Sequence, residues 1–329
     1  MKRNNFLDVL KGICILLVIF THFEWSREQT LNLLFPFWVN PAVPIFIIIS
    51  GYVYAKSFER KQILTLKEAY SLKNVVDKLI RYSVPLLMIY PIEILLKILV
   101  VKKKVTVGNM VLNLFLGGYG PGSYYFPYMI QFVFVFPLIY FVIKRWDFKG
   151  VIVCGIVNII YEYVKIPLEM PKEIYRLLLF RYVFAIALGC FFSIGKFQIK
   201  KWMGILCCVV GASFLYCDSY LGYQPTVFYR WAKTCMLAVF YIAPIACVLI
   251  KKCSWRCRPL EILGKASYNI FLVQMVLFHI MGHAYSGVSA SFLPMLITYA
   301  SCIVLGLLFY KIETPIVSKV IALCRGYML

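Results

Sequence analysis

The stretch GSYYFPYMIQFVFVFPLIYFVIK, Gly122 to Lys144, decides the fold class. It holds no charged side chain before its final lysine, and a helix of about 20 apolar residues is what crosses the hydrocarbon core of a bilayer. Similar stretches recur along the chain, near 6–23, 35–57, 80–101, 150–165, 175–195, 201–221, 228–250, 267–284 and 290–312. The 329 residues are 62% hydrophobic and only 15% charged, against about a quarter charged in ordinary soluble domains. A soluble core of this size could not absorb that much apolar surface, whereas lipid can. The expectation is an all-α polytopic membrane protein, a bundle of about ten transmembrane helices. Residues 1–329 read as a single membrane domain with no separate soluble domain. Lys2 and Arg3 ahead of an apolar run resemble a signal peptide. Lys11 interrupts that run, however, and no small-residue cleavage site follows Phe23, so the segment reads as an uncleaved first helix.

The net charge of +21 would suggest nucleic acid on a soluble protein. Here the basic residues sit in short runs between apolar stretches, and anionic lipid headgroups explain them without nucleic acid. If the N-terminus is cytoplasmic, the inner side receives Lys56, Arg60, Lys61, Lys67, Lys73, Lys78 and Arg81. It also receives Lys144, Arg145, Lys149, Lys196, Lys200 and Lys201, the cluster Lys251 to Lys265, and Lys311, Lys319 and Arg325. This bias predicts a multi-pass protein of the cell membrane with both termini cytoplasmic. The run Lys102 to Lys104 falls outside, at the outer headgroups. The polar segment 57–79 reads as a basic amphipathic helix on the inner surface. The twelve cysteines are scattered singly through apolar segments and read as small apolar filler.

Ionisable groups inside a membrane are costly, so each needs a reason. The first helix holds Asp8, Lys11 and His22. Eleven residues separate Lys11 from His22, about three turns plus roughly 20°, so both lie on one face about 16 Å apart along the axis. Asp8, three residues before Lys11, is close enough to pair with it. One polar stripe thus runs from Lys11 to His22.

The stretch LDVLKGICILLVIFTH, Leu7 to His22, resembles the opening of the acyltransferase-3 family of membrane acyltransferases, where a basic residue, ten residues and a histidine follow one another. The Lys-Gly-Ile form is similar to its fucose and capsule polysaccharide O-acetyltransferase branch. PIFIIISGYV (Pro44 to Val53), KLIRYSVP (Lys78 to Pro85), LGKASYNIFLVQ (Leu263 to Gln274) and ETP (Glu313 to Pro315) resemble further motifs in family order. There are departures: the family often has Arg at Lys11, Arg-x-x-Arg at Lys78 and Arg81, and His at Gln274. Charge is kept at the first two places, but bidentate phosphate geometry is weakened. No hydrolase-like extracytoplasmic domain follows, as it does in some members.

The resemblance implies cytoplasmic acetyl-CoA as donor substrate and a hydroxyl of a surface or lipid-linked glycan as acceptor, with no metal. Lys11, Lys78 and Arg81 would bind the coenzyme A phosphates at the inner face. His22 would be the general base that takes the hydroxyl proton, since imidazole titrates near neutral pH. An acyl-histidine relay is an alternative to direct transfer. Ser50, in the Ser-Gly pair, borders the expected cavity, and Tyr125 is a candidate sugar-stacking residue. The other reading of Tyr124, Tyr125 and Tyr128 is an interfacial aromatic belt. Ser50-Gly51 also reads as a site of close helix packing or a kink. His279 and His283, four apart, read as interfacial residues ahead of a metal site. Glu93 and Lys97 read as a structural ion pair, and Glu313 as a structural group near the end of the last helix. Alternative functions are transfer of a succinyl or other small acyl group, and a glycan exporter or flippase. A transporter would not need a base beside the acceptor.

Overall fold

The computed structural model describes residues 5–102, 104–165, 168–196, 198, 200–223, 236–284 and 292–326. Its regular structure is helical, with no strand among the described residues. In chain order the helices are α1 (Phe6–Thr21), α2 (Arg27–Asn32), α3 (Phe35–Trp38), α4 (Ala42–Arg60), α5 (Leu66–Ala69), α6 (Leu72–Leu99), α7 (Val107–Phe115) and α8 (Tyr125–Trp146). They continue with α9 (Phe148–Val164), α10 (Lys172–Leu177), a 3-10 turn (Leu179–Tyr182), α11 (Val183–Ile194), α12 (Lys201–Ser219), α13 (Met236–Lys252), α14 (Arg258–Lys265), α15 (Ser267–Ala284) and α16 (Phe292–Gly326).

Each of the ten apolar stretches therefore contains a helix. Among the described residues, five helices are long and apolar enough to cross a membrane, and six if α14 and α15, bent by 69° at their junction, make one span. The other apolar helices, α1, α9, α11 and α13, have 16, 17, 12 and 17 residues. Several helices leave whole apolar faces exposed, among them Ile205, Leu206, Val209 and Val210 on α12 and Val304, Leu305, Leu308 and Ile312 on α16. Faces this apolar suit lipid rather than water.

Two helices differ from the sequence reading. The third span begins at Leu72 rather than near 80, so residues 57–79 are not one surface helix: they contain the end of α4, the short α5 capped by Thr65, and the first two turns of α6. The polar start of α6 is held in place by Asp77, whose carboxylate accepts from the Arg325 guanidinium. The last helix runs to Gly326, well beyond 312, with Pro315 inside it. Hydroxyls bond back to the helix around the proline, Thr314 Oγ1 to the Tyr310 carbonyl and Ser318 Oγ to that of Thr314. A proline lacks only one ladder donor, and such side-chain bonds hold the helix together around it.

The chain divides into two compact units. The first holds residues 1–7, 25–70 and 134–256. Its centre is the pair α4 and α11, which meet backbone to backbone: a Cβ on Gly51 would overlap the Ile186 carbonyl, and one on Gly189 that of Ile48. The Ser-Gly pair therefore does serve close helix packing. A buried polar cluster also lies in this unit, where Glu162 accepts from Lys165 and from the Tyr175 hydroxyl.

The second unit holds residues 8–24, 71–133 and 257–329. Small residues again permit close approach. Gly12 of α1 abuts the Leu260 carbonyl, Gly264 abuts that of Asp8, and Gly306 of α16 lies against Ile270 of α15. The Tyr299 hydroxyl donates to the Leu16 carbonyl at 3.1 Å, tying α16 to α1. These contacts assemble α1, α14, α15 and α16, with α6 joined at the Asp77–Arg325 pair.

Candidate active site

Lys11, His22, Lys78 and Arg81, the charged and imidazole residues expected to act in the reaction, all fall in the second unit. Lys11 is partly exposed and its ammonium lies 3.9 Å from the Asp8 carboxylate, as the i,i+3 spacing predicts. Three turns further along α1, the half-buried His22 ring meets Phe278 of α15 at a centroid distance of 5.8 Å. The backbone of Gly122 closes on it from another side: a Cβ there would be 3.9 Å from His22 Nε2 and 2.9 Å from the Phe271 ring. His22 is thus bordered by α15 and by the loop that leads into α8.

Lys78 and Arg81 lie near the start of α6, one turn apart. Arg81 is exposed and within electrostatic reach of Glu313 on α16. Glu313 is buried and accepts a hydrogen bond from Asn269 Nδ2 at 3.1 Å. Of the three proposed phosphate-binding cations, Lys11 is therefore paired with Asp8, and Arg81 lies within electrostatic reach of Glu313.

Tyr125 belongs to an aromatic cluster. Its ring packs on Phe271 at 5.1 Å and on Tyr128 at 5.8 Å, and Tyr128 itself is buried. Tyr268 stands beside them and donates its hydroxyl to the Tyr82 carbonyl at 2.9 Å. Ser50 lies in the first unit, where its hydroxyl donates to the Phe46 carbonyl one turn back at 2.8 Å. His279 stacks with Tyr119 at 5.8 Å, and the His283 side chain lies outside the described residues.

The sequence reading missed three features. Glu93 is fully buried, and its Oε1 accepts from the consecutive N–H groups of Tyr119 (3.0 Å) and Gly120 (3.1 Å). Lys97, its expected partner, is within electrostatic reach of Glu93 and also sits over the Tyr119 ring, so both residues serve the Gly-Gly-Tyr-Gly-Pro-Gly loop. Phe271 and Phe278, the aromatic walls beside His22, stood inside an apolar run with nothing to distinguish them. Gln274, between them in sequence, is fully buried, and neither side-chain amide atom has a partner among the described residues.

A family model described as an acyltransferase domain matches residues 4–311, nearly the whole chain. The chain belongs to the acyltransferase-3 family. No curated protein and no solved structure matches it. The chain is accordingly a membrane acyltransferase. An imidazole lies at one end of α1, between aromatic walls and a glycine backbone. Basic side chains lie toward the opposite ends of α1 and α6.

Proposed function

We propose that this acyltransferase moves an acetyl group from cytoplasmic acetyl-CoA to a hydroxyl of a surface or lipid-linked glycan, with His22 as general base. The observation that carries the reading is the separation within one unit of a base from a set of cations. Lys11 lies on α1 and His22 directly follows its last residue, a separation of about 16 Å along an ideal helix axis, comparable to an extended pantetheine arm. On α6, Lys78 and Arg81 stand near the end opposite to Glu93, whose loop borders His22. Coenzyme A phosphates held by Lys11, Lys78 and Arg81 would leave the thioester near His22. The imidazole would take the hydroxyl proton as the oxygen attacks the thioester carbon. Phe271, Phe278 and the loop would keep water from competing with the acceptor. In this orientation the termini and the start of α6 are cytoplasmic, His22 lies toward the outer leaflet, and the acceptor arrives from outside.

The test is acyl transfer by the purified protein in lipid vesicles, with acetyl-CoA labelled in the acetyl group and glycan acceptors offered on the opposite side. Label should pass to glycan hydroxyls and coenzyme A should be released in equal amount. Label transfer from succinyl-CoA instead would change the donor. Movement of glycan across the vesicle without ester formation would overturn the reading.

A further inference from the structure

Acyl transfer through a base alone leaves the charge that develops on the thioester oxygen unattended, and the loop beside His22 holds a group suited to it. Glu93 fastens this loop from α6 through its two N–H bonds to Oε1. Gly120 lies directly on the Met275 carbonyl of α15, with no room for a side chain. Further along, the Ser123 N–H donates to the Gly120 carbonyl and the Tyr125 N–H to the Gly122 carbonyl. The N–H of Gly122 makes no backbone hydrogen bond among the described residues. Gly122 is nevertheless buried, and its φ of +94° is one that side-chain-bearing residues rarely adopt. Burying a peptide N–H without a partner is costly, most of all where lipid replaces water. The same residue lies beside His22: a Cβ on it would be 3.9 Å from His22 Nε2.

Resting on the reading of His22 as the base, we propose that the Gly122 N–H is the oxyanion donor and that Glu93 is the residue positioning it. The acceptor oxygen attacks the thioester carbon, and its proton passes to His22. The carbonyl electron pair moves onto oxygen, where the Gly122 N–H receives it. Collapse restores the carbonyl, breaks the carbon–sulfur bond and returns the proton from the imidazolium to the departing thiolate. Products are the glycan ester and coenzyme A. A preorganised N–H aimed at developing charge is among the larger single contributions to catalysis, and losing one donor typically costs about 10²–10³-fold in kcat.

Three variants of the full chain, purified into vesicles and assayed with acetyl-CoA, test this. Glu93→Ala removes the acceptor of both loop N–H groups, whereas Glu93→Gln keeps an oxygen there. Gly122→Ala places a methyl group against Phe271 without touching Glu93. The expected result is a kcat lower by about 10²-fold in Glu93→Ala and Gly122→Ala, little change in the KM for acetyl-CoA, and recovery of most of the rate in Glu93→Gln. Wild-type kcat in Glu93→Ala or in Gly122→Ala overturns the proposal, as does an equal loss in Glu93→Gln and Glu93→Ala. If Glu93→Ala does not fold, the Gly122→Ala and Glu93→Gln pair decides by the same criteria. His22→Ala separates the two levels: full activity there sinks the base itself. A dead His22→Ala beside fully active loop variants sinks only the oxyanion assignment.

Discussion

Asn269 on α15 donates through Nδ2 to Glu313 Oε2 on α16 across 3.1 Å, and both side chains are buried. A buried carboxylate deprived of a donor loses more than the net worth of one hydrogen bond, because its desolvation is no longer offset. Asn269→Ala should therefore destabilise the protein by about 1–3 kcal/mol, seen as a lower melting temperature in detergent. Glu313→Ala, which removes the stranded carboxylate as well, should add little when combined with Asn269→Ala. Additive losses in that double variant would show that the two groups are not coupled.

Glycine positions give a stability test that needs no assay. A methyl group on Gly264 would strike the Asp8 carbonyl and one on Gly189 that of Ile48, and backbone cannot retreat as a side chain can. Gly264→Ala and Gly189→Ala should each cost about 1–3 kcal/mol. Gly108 lies in α7 with nothing within 4 Å of such a methyl group. Gly108→Ala should raise stability by about 0.5–1 kcal/mol through helix propensity. Thermal melts of the three variants check the order, and a destabilised Gly108→Ala would contradict the packing described.

Topology follows from the basic-loop asymmetry. Both termini and residue 67 should be inside. On a cysteine-free background, a cysteine at Lys67 should react with a membrane-permeant maleimide and resist an impermeant one added to intact cells. Labelling by the impermeant reagent would reverse the proposed orientation and, with it, the side from which the donor arrives.

The proposed donor site makes an ionic-strength prediction. Replacing Lys78 and Arg81 together by Ala should weaken acetyl-CoA binding at low salt. The gap between variant and wild type should narrow as salt rises, because screening weakens the wild-type attraction. Lys11→Arg should be mild, since charge survives. Equal affinities by calorimetry at low salt would remove Lys78 and Arg81 from the donor site.

What could be read beforehand and what could not have physical reasons. The apolar stretches, the Asp8–Lys11–His22 stripe and the close packing at Gly51 are local properties of a helix, and all stood in the sequence. Helix ends were harder. Hydropathy fades where polar side chains begin, but the backbone ladder continues, so α6 starts at Leu72 and α16 runs to Gly326. Burial was harder still. In lipid the outward and inward faces of a helix are both apolar, so nothing in the run around Tyr128 announced that this ring is buried while Phe134 is exposed. Glu93 was legible only in part. Lys97, its candidate partner in sequence, is within electrostatic reach of it, but its hydrogen bonds go to loop amides 26 and 27 residues away.

The sharpest prediction concerns His22. A positioned general base typically contributes about 10²–10⁴-fold in rate. Its loss should be tolerated by the fold, because the ring is only half-buried. His22→Ala should therefore abolish detectable glycan acetylation while leaving expression and acetyl-CoA affinity near wild type, since the proposed phosphate contacts lie three turns away. His22→Gln should be equally inactive. The amide fills the space and can hydrogen-bond, but it cannot accept a proton at neutral pH, and this separates base catalysis from mere positioning of the acceptor. The measurement is the acetyl content of glycan from cells carrying each variant at matched protein level. Substantial acetylation by His22→Gln would reduce the histidine to a positioning role, and wild-type acetylation by His22→Ala would move the chemistry away from this end of α1.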